Sequence, residues 1–183
     1  MIINRKFLFR AGIFLILFQP VCFAQNIPQD WLGDWYGKLT INVPKGTVAT
    51  IDMELHLSTT DNPYKWNYTI VYDEGESRDE RKYTLIKSDS ISGLYTIDEN
   101  NGIIINEMNI ENKMFQRFKI NDNVIYGITT YEKGKITWEL VSDFERHSLQ
   151  TGNGDEEIPF VTSYYPINYQ RAVLTKKKPK NKK

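Results

Sequence analysis

Apolar and polar residues alternate along most of the chain after residue 34. The clearest alternation is in segment 47–57, where four apolar side chains share one side: Ile51, Met53, Leu55 and Leu57. Successive side chains of a β-strand point to opposite faces, so this pattern predicts a half-buried strand. Comparable alternation predicts strands at 35–43, 66–72, 114–120, 124–128, 136–144 and 167–175, and less regular segments predict others at 81–87, 93–98 and 103–110.

Short turn sequences such as Asn100-Asn101-Gly102 and Lys133-Gly134 separate these segments. Nine or ten strands joined in this way predict an all-β, antiparallel meander. Closing the meander removes its two unpaired edges, so we expect an up-and-down barrel of about 8–10 strands. A two-sheet sandwich is the alternative. The longest irregular connection is predicted at about 145–160.

The first 24 residues have the features of a secretory signal peptide. Arg5, Lys6 and Arg10 precede a short apolar run, Ala11 to Phe18, and Cys22-Phe23-Ala24 places small residues before a cleavage site at Gln25. The run is much shorter than the ~20 residues of a spanning helix, so we expect no transmembrane segment after cleavage. This predicts an exported protein, periplasmic or extracellular. Lipidation of Cys22, which is the only cysteine, is the minority alternative.

Removing residues 1–24 changes the interpretation of the neutral overall charge. Segment 25–175, the predicted barrel domain, has 14 basic and 23 acidic residues, whereas segment 176–183 contains six lysines. An acidic domain repels phosphate backbones, so we expect no nucleic-acid partner. The lysine-rich segment 176–183 is expected to be a disordered tail.

The start of the predicted domain resembles that of the calycins, the superfamily of lipocalins and fatty-acid-binding proteins. The resemblance is carried by Gly33-Asp34-Trp35 after a short predicted helical turn around Asp30, and by Arg171 in the last predicted strand. It implies that Gly33, Trp35 and Arg171 close one end of the barrel, with the arginine packed across the tryptophan. It also implies a small hydrophobic ligand in the lumen.

Aromatic residues make up 13% of the chain, and many fall on predicted inward faces. Two interpretations remain open, because aromatic side chains either fill a small barrel as a dry core or line a ligand cavity. On the second interpretation, seven residues are candidate lumen contacts: Trp66, Tyr68, Tyr72, Phe118, Tyr126, Trp138 and Phe144.

The sequence shows no catalytic motif, cofactor motif or metal-ligand spacing. His56 and His147 are the only histidines, and they lack the clustered partners of a zinc or copper site. We therefore expect a binding protein with no metal or cofactor, and not an enzyme. One alternative is an interaction module with a filled barrel, in which loop 145–160 contacts a protein of unknown identity. A less favoured alternative is an extracellular hydrolase using carboxylates on the strands, such as Asp52, Glu54 and Glu139.

Overall fold

A computed structural model of the protein describes residues 28–176, so the predicted signal peptide at 1–24 and residues 177–183 of the tail lie outside the described residues. One turn of 3-10 helix, Gln29–Trp31, precedes the strands. The strands are β1 (Gly33–Val43), β2 (Gly46–Thr59), β3 (Lys65–Asp73), β4 (Arg78–Lys87), β5 (Leu94–Asp98), β6 (Ile104–Ile110), β7 (Lys113–Ile120), β8 (Asn123–Glu132), β9 (Lys135–Phe144), β10 (Ser148–Thr151), β11 (Val161–Tyr164) and β12 (Asn168–Thr175).

Ten of these strands form one closed antiparallel barrel in the order β1-β12-β9-β8-β7-β6-β5-β4-β3-β2. The prediction of an all-β up-and-down barrel is confirmed. Closure is made by β12, which pairs with β9 on one side and with β1 on the other.

The segment predicted as an irregular connection at 145–160 contains part of a separate β-hairpin. Strands β10 and β11 pair only with each other in the described chain and stand apart from the barrel. The prediction was therefore wrong in part. The strands on either side of the polar, glycine-containing tip are only four residues long, too short to show a clear alternation. The hairpin and the residue that follows it carry several exposed apolar side chains: Leu149, Ile158, Phe160, Val161, Tyr164 and Tyr165.

The hydrophobic core is concentrated at one end of the barrel, which we call the closed end, where β1 begins and β12 finishes. Trp35 is completely buried there, and its indole N–H donates a 2.6 Å hydrogen bond to the carbonyl of Trp31. The ring of Tyr131 meets Trp35 edge-on at 6.0 Å between centroids. Further large buried side chains fill this end: Leu57, Trp66, Leu85, Met114, Ile136 and Leu174.

The cation that covers Trp35 is Lys176, whose Nζ lies 4.9 Å from the ring centroid. The expectation that Arg171 packs across Trp35 was wrong. Arg171 is exposed, and its Nε lies 3.8 Å from Glu139 on the adjacent strand. Neighbouring Ala172 takes the inward position, so the alternation of the strand directs Arg171 outward. Lys176 reaches the indole because it follows β12 at the closed end.

Gly37 is required where β1 passes closest to β12. A Cβ atom at this position would overlap the carbonyl oxygen of Val173 and lie 2.9 Å from Cδ2 of Leu174. The carbonyl is part of the barrel backbone and has little room to move away.

We expect Gly37→Ala to destabilise the protein by about 2 kcal/mol or more, because it inserts a methyl group against fixed backbone at the barrel closure. Urea unfolding followed by circular dichroism measures the change. Lys38→Ala, on the outer face of the same strand, is the control and should cost under about 1 kcal/mol. Equal effects of the two substitutions would contradict this assignment of Gly37.

Candidate functional site

The opposite end of the barrel, the open end, is incompletely filled. A cavity of about 450 Å³, the mouth cavity, lies inside it. Inward side chains of β1, β2, β3 and β9 form its apolar wall: Ile41, Ile51, Tyr72 and Leu140. Their alternation with outward polar residues continues the pattern that builds the closed end, but the lumen here lacks the tryptophans that fill that end.

A second space, the lateral cleft, lies where the barrel wall is incomplete. Pairing between β6 and β7 is confined to Glu107–Ile110 and Lys113–Gln116, and β4 pairs with β5 only from Thr84 onward. The shorter β5–β6 hairpin therefore leaves a gap between the first half of β4 and the second half of β7. A space of about 690 Å³ opens here. Its lining combines half-buried inward side chains with exposed isoleucines at the rim: Tyr83, Ile105, Phe118, Ile103, Ile104 and Ile120.

Arg81 lines both the mouth cavity and the lateral cleft. Its Nε donates a 2.8 Å hydrogen bond to Asp79, and its guanidinium lies 5.0 Å from the ring centroid of Tyr72. Burial raises the pKa of Tyr72 to about 12, although the Arg81 charge acts in the opposite direction. Arg81 is thus a paired cation at the junction of the two spaces.

Glu107 is the most unusual group in the lumen. It takes an inward position of β6, opposite Tyr95 of β5 and Gln116 of β7, and is only 4% exposed. Burial raises the pKa of its carboxyl group from 4.5 to about 7, and no hydrogen bond or opposite charge from the described residues offsets this effect. A buried carboxyl group normally has such a partner, so Glu107 is unusual in having none among the described residues.

Three tyrosines extend from the neighbourhood of Glu107 toward the open end. Tyr68 is buried, and its pKa is raised well above the usual value, first by burial and then by the negative charge of Glu107. The hydroxyl groups of Tyr72 and Tyr83 raise the pKa of Tyr68 further. Burial likewise raises the pKa of Tyr83. The three phenols and the carboxyl group therefore form one polar cluster inside the lumen.

The structure distributes the seven predicted lumen aromatics over five environments. Trp66, Tyr68 and Trp138 are buried in the core. Tyr72 lines the mouth cavity, and Phe118 lines the lateral cleft. Phe144 lies at the end of β9, where the guanidinium of Arg146 covers its ring at 4.0 Å.

Tyr126 lies on the outer face of the barrel, so its assignment to the lumen was wrong. It is 42% exposed, and its hydroxyl accepts a 2.8 Å hydrogen bond from Arg117. The inward positions of β8 are the odd-numbered ones, such as Thr129, which lies opposite Trp138, and Tyr131. Both faces of β8 carry apolar residues, so the two possible alternations could not be told apart from the sequence.

Sequence reasoning also missed Glu107, Arg81 and Tyr83. On β6 the usual pattern is inverted, because Ile104, Met108 and Ile110 face solvent and Glu107 faces inward. Only the pairing register of β5 and β6 would have identified Glu107, because the turn at 99–103 places it opposite the buried Tyr95. That register could not be fixed from the sequence alone.

The carboxylates considered for hydrolysis lie outside the lumen. Asp52 pairs with Lys38 at 2.7 Å, and Glu139 contacts Tyr169 and Arg171 on the outer wall. Glu54 accepts hydrogen bonds from Arg78 and lies 3.0 Å from Nε2 of His56.

His56 also lies on the outer face, where its Nδ1 is 2.7 Å from Asp34. Within residues 28–176, no cluster of three or more histidine, cysteine or acidic side chains has the geometry to hold a metal ion. No helix in that range is both long and apolar enough to span a membrane.

No protein-family model matches the sequence, and no curated protein matches it. Among solved structures, the S-type phycobiliprotein lyase CPES from Guillardia theta is similar, with a TM-score of 0.58 over 83% of this chain and 91% of that chain. Only 3% of the aligned residues are identical. The comparison therefore supports a shared barrel fold and carries no site residue from one protein to the other.

We expect Glu107→Gln to stabilise the protein more at pH 8 than at pH 5. Between pH 4.5 and about 7 the folded state retains a proton that the unfolded state has released, so wild-type stability falls as the pH rises. The glutamine variant lacks this dependence. The difference in unfolding free energy should grow by about 2 to 3 kcal/mol from pH 5 to pH 8.

Urea unfolding at both pH values measures that difference. Glu76→Gln, which removes an exposed carboxylate from the β3–β4 turn, is the matched control and should leave the pH profile unchanged. Parallel profiles for wild type and Glu107→Gln would refute the assignment of a perturbed carboxyl group.

Proposed function

We propose that the protein is an exported calycin-like barrel that binds a small apolar or aromatic molecule at its open end. The observation that carries this proposal is the uneven filling of the lumen. The closed end is packed with large side chains, whereas the open end contains the mouth cavity and the lateral cleft. Binding requires no catalytic group, and the proposal includes no reaction.

The sizes of these spaces suit a small ligand. They measure about 450 and 690 Å³, within the range of roughly 300–1,000 Å³ typical of ligand sites. Their walls combine apolar and aromatic side chains with nearly as many polar and charged ones, so each space offers both apolar contact and hydrogen-bonding groups. A ligand in the lateral cleft would cover Ile105 and Phe118 and would remove the exposed isoleucines at the rim from water.

Export is proposed on the sequence of residues 1–24, with cleavage before Gln25 and release into the periplasm or the extracellular space. The similarity of the fold to that of a phycobiliprotein lyase is compatible with a ligand-binding barrel. At 3% identity it gives no basis for assigning the substrate of that lyase to this protein.

We expect the neutral probe N-phenyl-1-naphthylamine to bind and to increase in fluorescence, because it exchanges water for an apolar cavity. Ile105→Trp fills the lateral cleft from the inside and should weaken binding at least tenfold. Asn106→Trp introduces the same side chain at the next, outward position and should leave the affinity within about twofold of wild type.

Equal affinities of the two tryptophan variants would place the probe outside the cleft. Absence of a fluorescence response in wild type, at probe concentrations up to its solubility limit, would contradict the binding function. Circular dichroism of each variant checks that the barrel is intact.

A second candidate function is protein binding through the β10–β11 hairpin. Exposed side chains on a projecting hairpin form an apolar surface of the kind that marks protein contacts: Leu149, Ile158, Phe160 and Val161. This function is compatible with a ligand in the barrel, since the hairpin stands apart from both cavities.

For this second function, a photoreactive phenylalanine analogue in place of Phe160 should form a covalent adduct with another polypeptide in the native cell. The same analogue in place of Tyr126, on the outer barrel wall, is the control and should give none. Matching adduct patterns at both positions would argue against a specific contact at the hairpin.

A further inference from the structure

We infer that the ligand of the barrel is an organic cation, with an apolar or aromatic body and a protonated nitrogen that pairs with Glu107. This inference rests on the proposed binding function and adds the chemical class of the ligand. It is carried by a buried acidic side chain that faces the lumen and has no partner among residues 28–176.

Glu107 lies on β6 two residues beyond Ile105, on the closed-end side of the lateral cleft, and is not itself part of the cleft lining. Ile105 and Phe118 line the cleft, and the next inward positions toward the closed end on their strands are Glu107 and Gln116. Two residues of a strand span about 7 Å, so a ligand that enters past Ile105 brings its leading group within reach of the carboxyl group. The gap in the wall provides the route.

The end of the ligand that enters first has to be chemically complementary to a buried carboxyl group. Ionised Glu107 lacks hydrogen-bond donors among the described residues, and the cost of its desolvation is reflected in its raised pKa. A protonated nitrogen supplies both N–H donors and the opposite charge. A carboxylate or phosphate at the same place would be repelled by ionised Glu107 and would offer no donor.

Tyrosine rings provide a second reason to favour a cation. Tyr68, Tyr72 and Tyr83 surround the lumen between Glu107 and the open end, and aromatic faces attract organic cations. The structure already contains such a contact at the mouth, where the guanidinium of Arg81 lies 5.0 Å from the Tyr72 ring centroid.

The main competing ligand is an organic anion held by Arg81. Arg81 is already paired with Asp79 at 2.8 Å, whereas no residue in the described part of the chain pairs with Glu107. The cleft is also lined by Lys82 and Lys119, and both are already paired, Lys82 with Glu80 at 3.4 Å and Lys119 with Glu145 at 2.6 Å. Both observations favour the cation.

Three probes that share one phenylalkyl body test the inference: 4-phenylbutylamine, 4-phenylbutanol and 4-phenylbutyrate. Isothermal titration calorimetry at pH 7 should give an affinity for the amine at least tenfold higher than for the alcohol, and the weakest binding for the carboxylate. Glu107→Gln should remove the preference for the amine and leave the alcohol affinity within twofold. Glu111→Gln, which removes an exposed carboxylate from the β6–β7 turn outside the cleft, is the matched control and should keep the preference.

Proton release provides an independent readout. The titratable groups facing Glu107 are Tyr68 of β3 and Tyr95 of β5, and burial raises the pKa of both, so they stay neutral at pH 7. Glu107, with a pKa of about 7, is partly protonated there and should lose its proton when the amine binds. The binding heat of the amine should therefore vary with the ionisation enthalpy of the buffer in wild type, but not in Glu107→Gln.

Equal affinities for amine and alcohol, a preference for the carboxylate, or an unchanged amine preference in Glu107→Gln would each overturn the inference. These outcomes leave the proposed function standing if N-phenyl-1-naphthylamine still binds in the cleft. Failure of both the naphthyl probe and all three phenylalkyl probes would refute the proposed function together with the inference.

Discussion

Antiparallel pairing of β1 with β12 joins the two ends of the sheet, and this ladder separates the inner face of the barrel from the outer face. It brings Leu39 opposite Ala172, two inward residues that are almost completely buried. The close approach is possible because Gly37 has no side chain to overlap the backbone of β12. Without this closure, Trp35 would lose its enclosure and the lumen would have no defined interior.

Unequal strand lengths produce two different halves. At the closed end, tryptophan and aliphatic side chains occupy the lumen and gain the stabilisation of apolar burial. Toward the open end, the short β5–β6 hairpin no longer spans the wall, and the space between β4 and β7 stays unfilled. The polar cluster around Glu107 lies between these halves, where burial of a carboxyl group lowers the stability of the fold at neutral pH.

The positions of most strands and the barrel class could be predicted from the sequence, because apolar and polar residues alternate every two positions over most of the chain. It could not decide orientation where both faces are apolar, as for Tyr126 on β8, or where the pattern is inverted, as for Glu107 on β6. Those assignments depend on cross-strand register, which no local pattern fixes. The cation over Trp35 was similarly misassigned, because Lys176 reaches the ring from beyond the end of β12, whereas Arg171 belongs to the outer face.

The gap in the barrel wall has a consequence for solubility. It leaves backbone donors and acceptors on the first half of β4 and the second half of β7 without partners in the barrel ladder, and such strand edges can pair with those of another molecule. The exposed β4 edge consists of five consecutive charged residues, Arg78-Asp79-Glu80-Arg81-Lys82, and Lys119 stands on the β7 side. A foreign strand approaching this edge would have to desolvate those charges, so the barrel keeps an opening in its wall while resisting edge-to-edge aggregation.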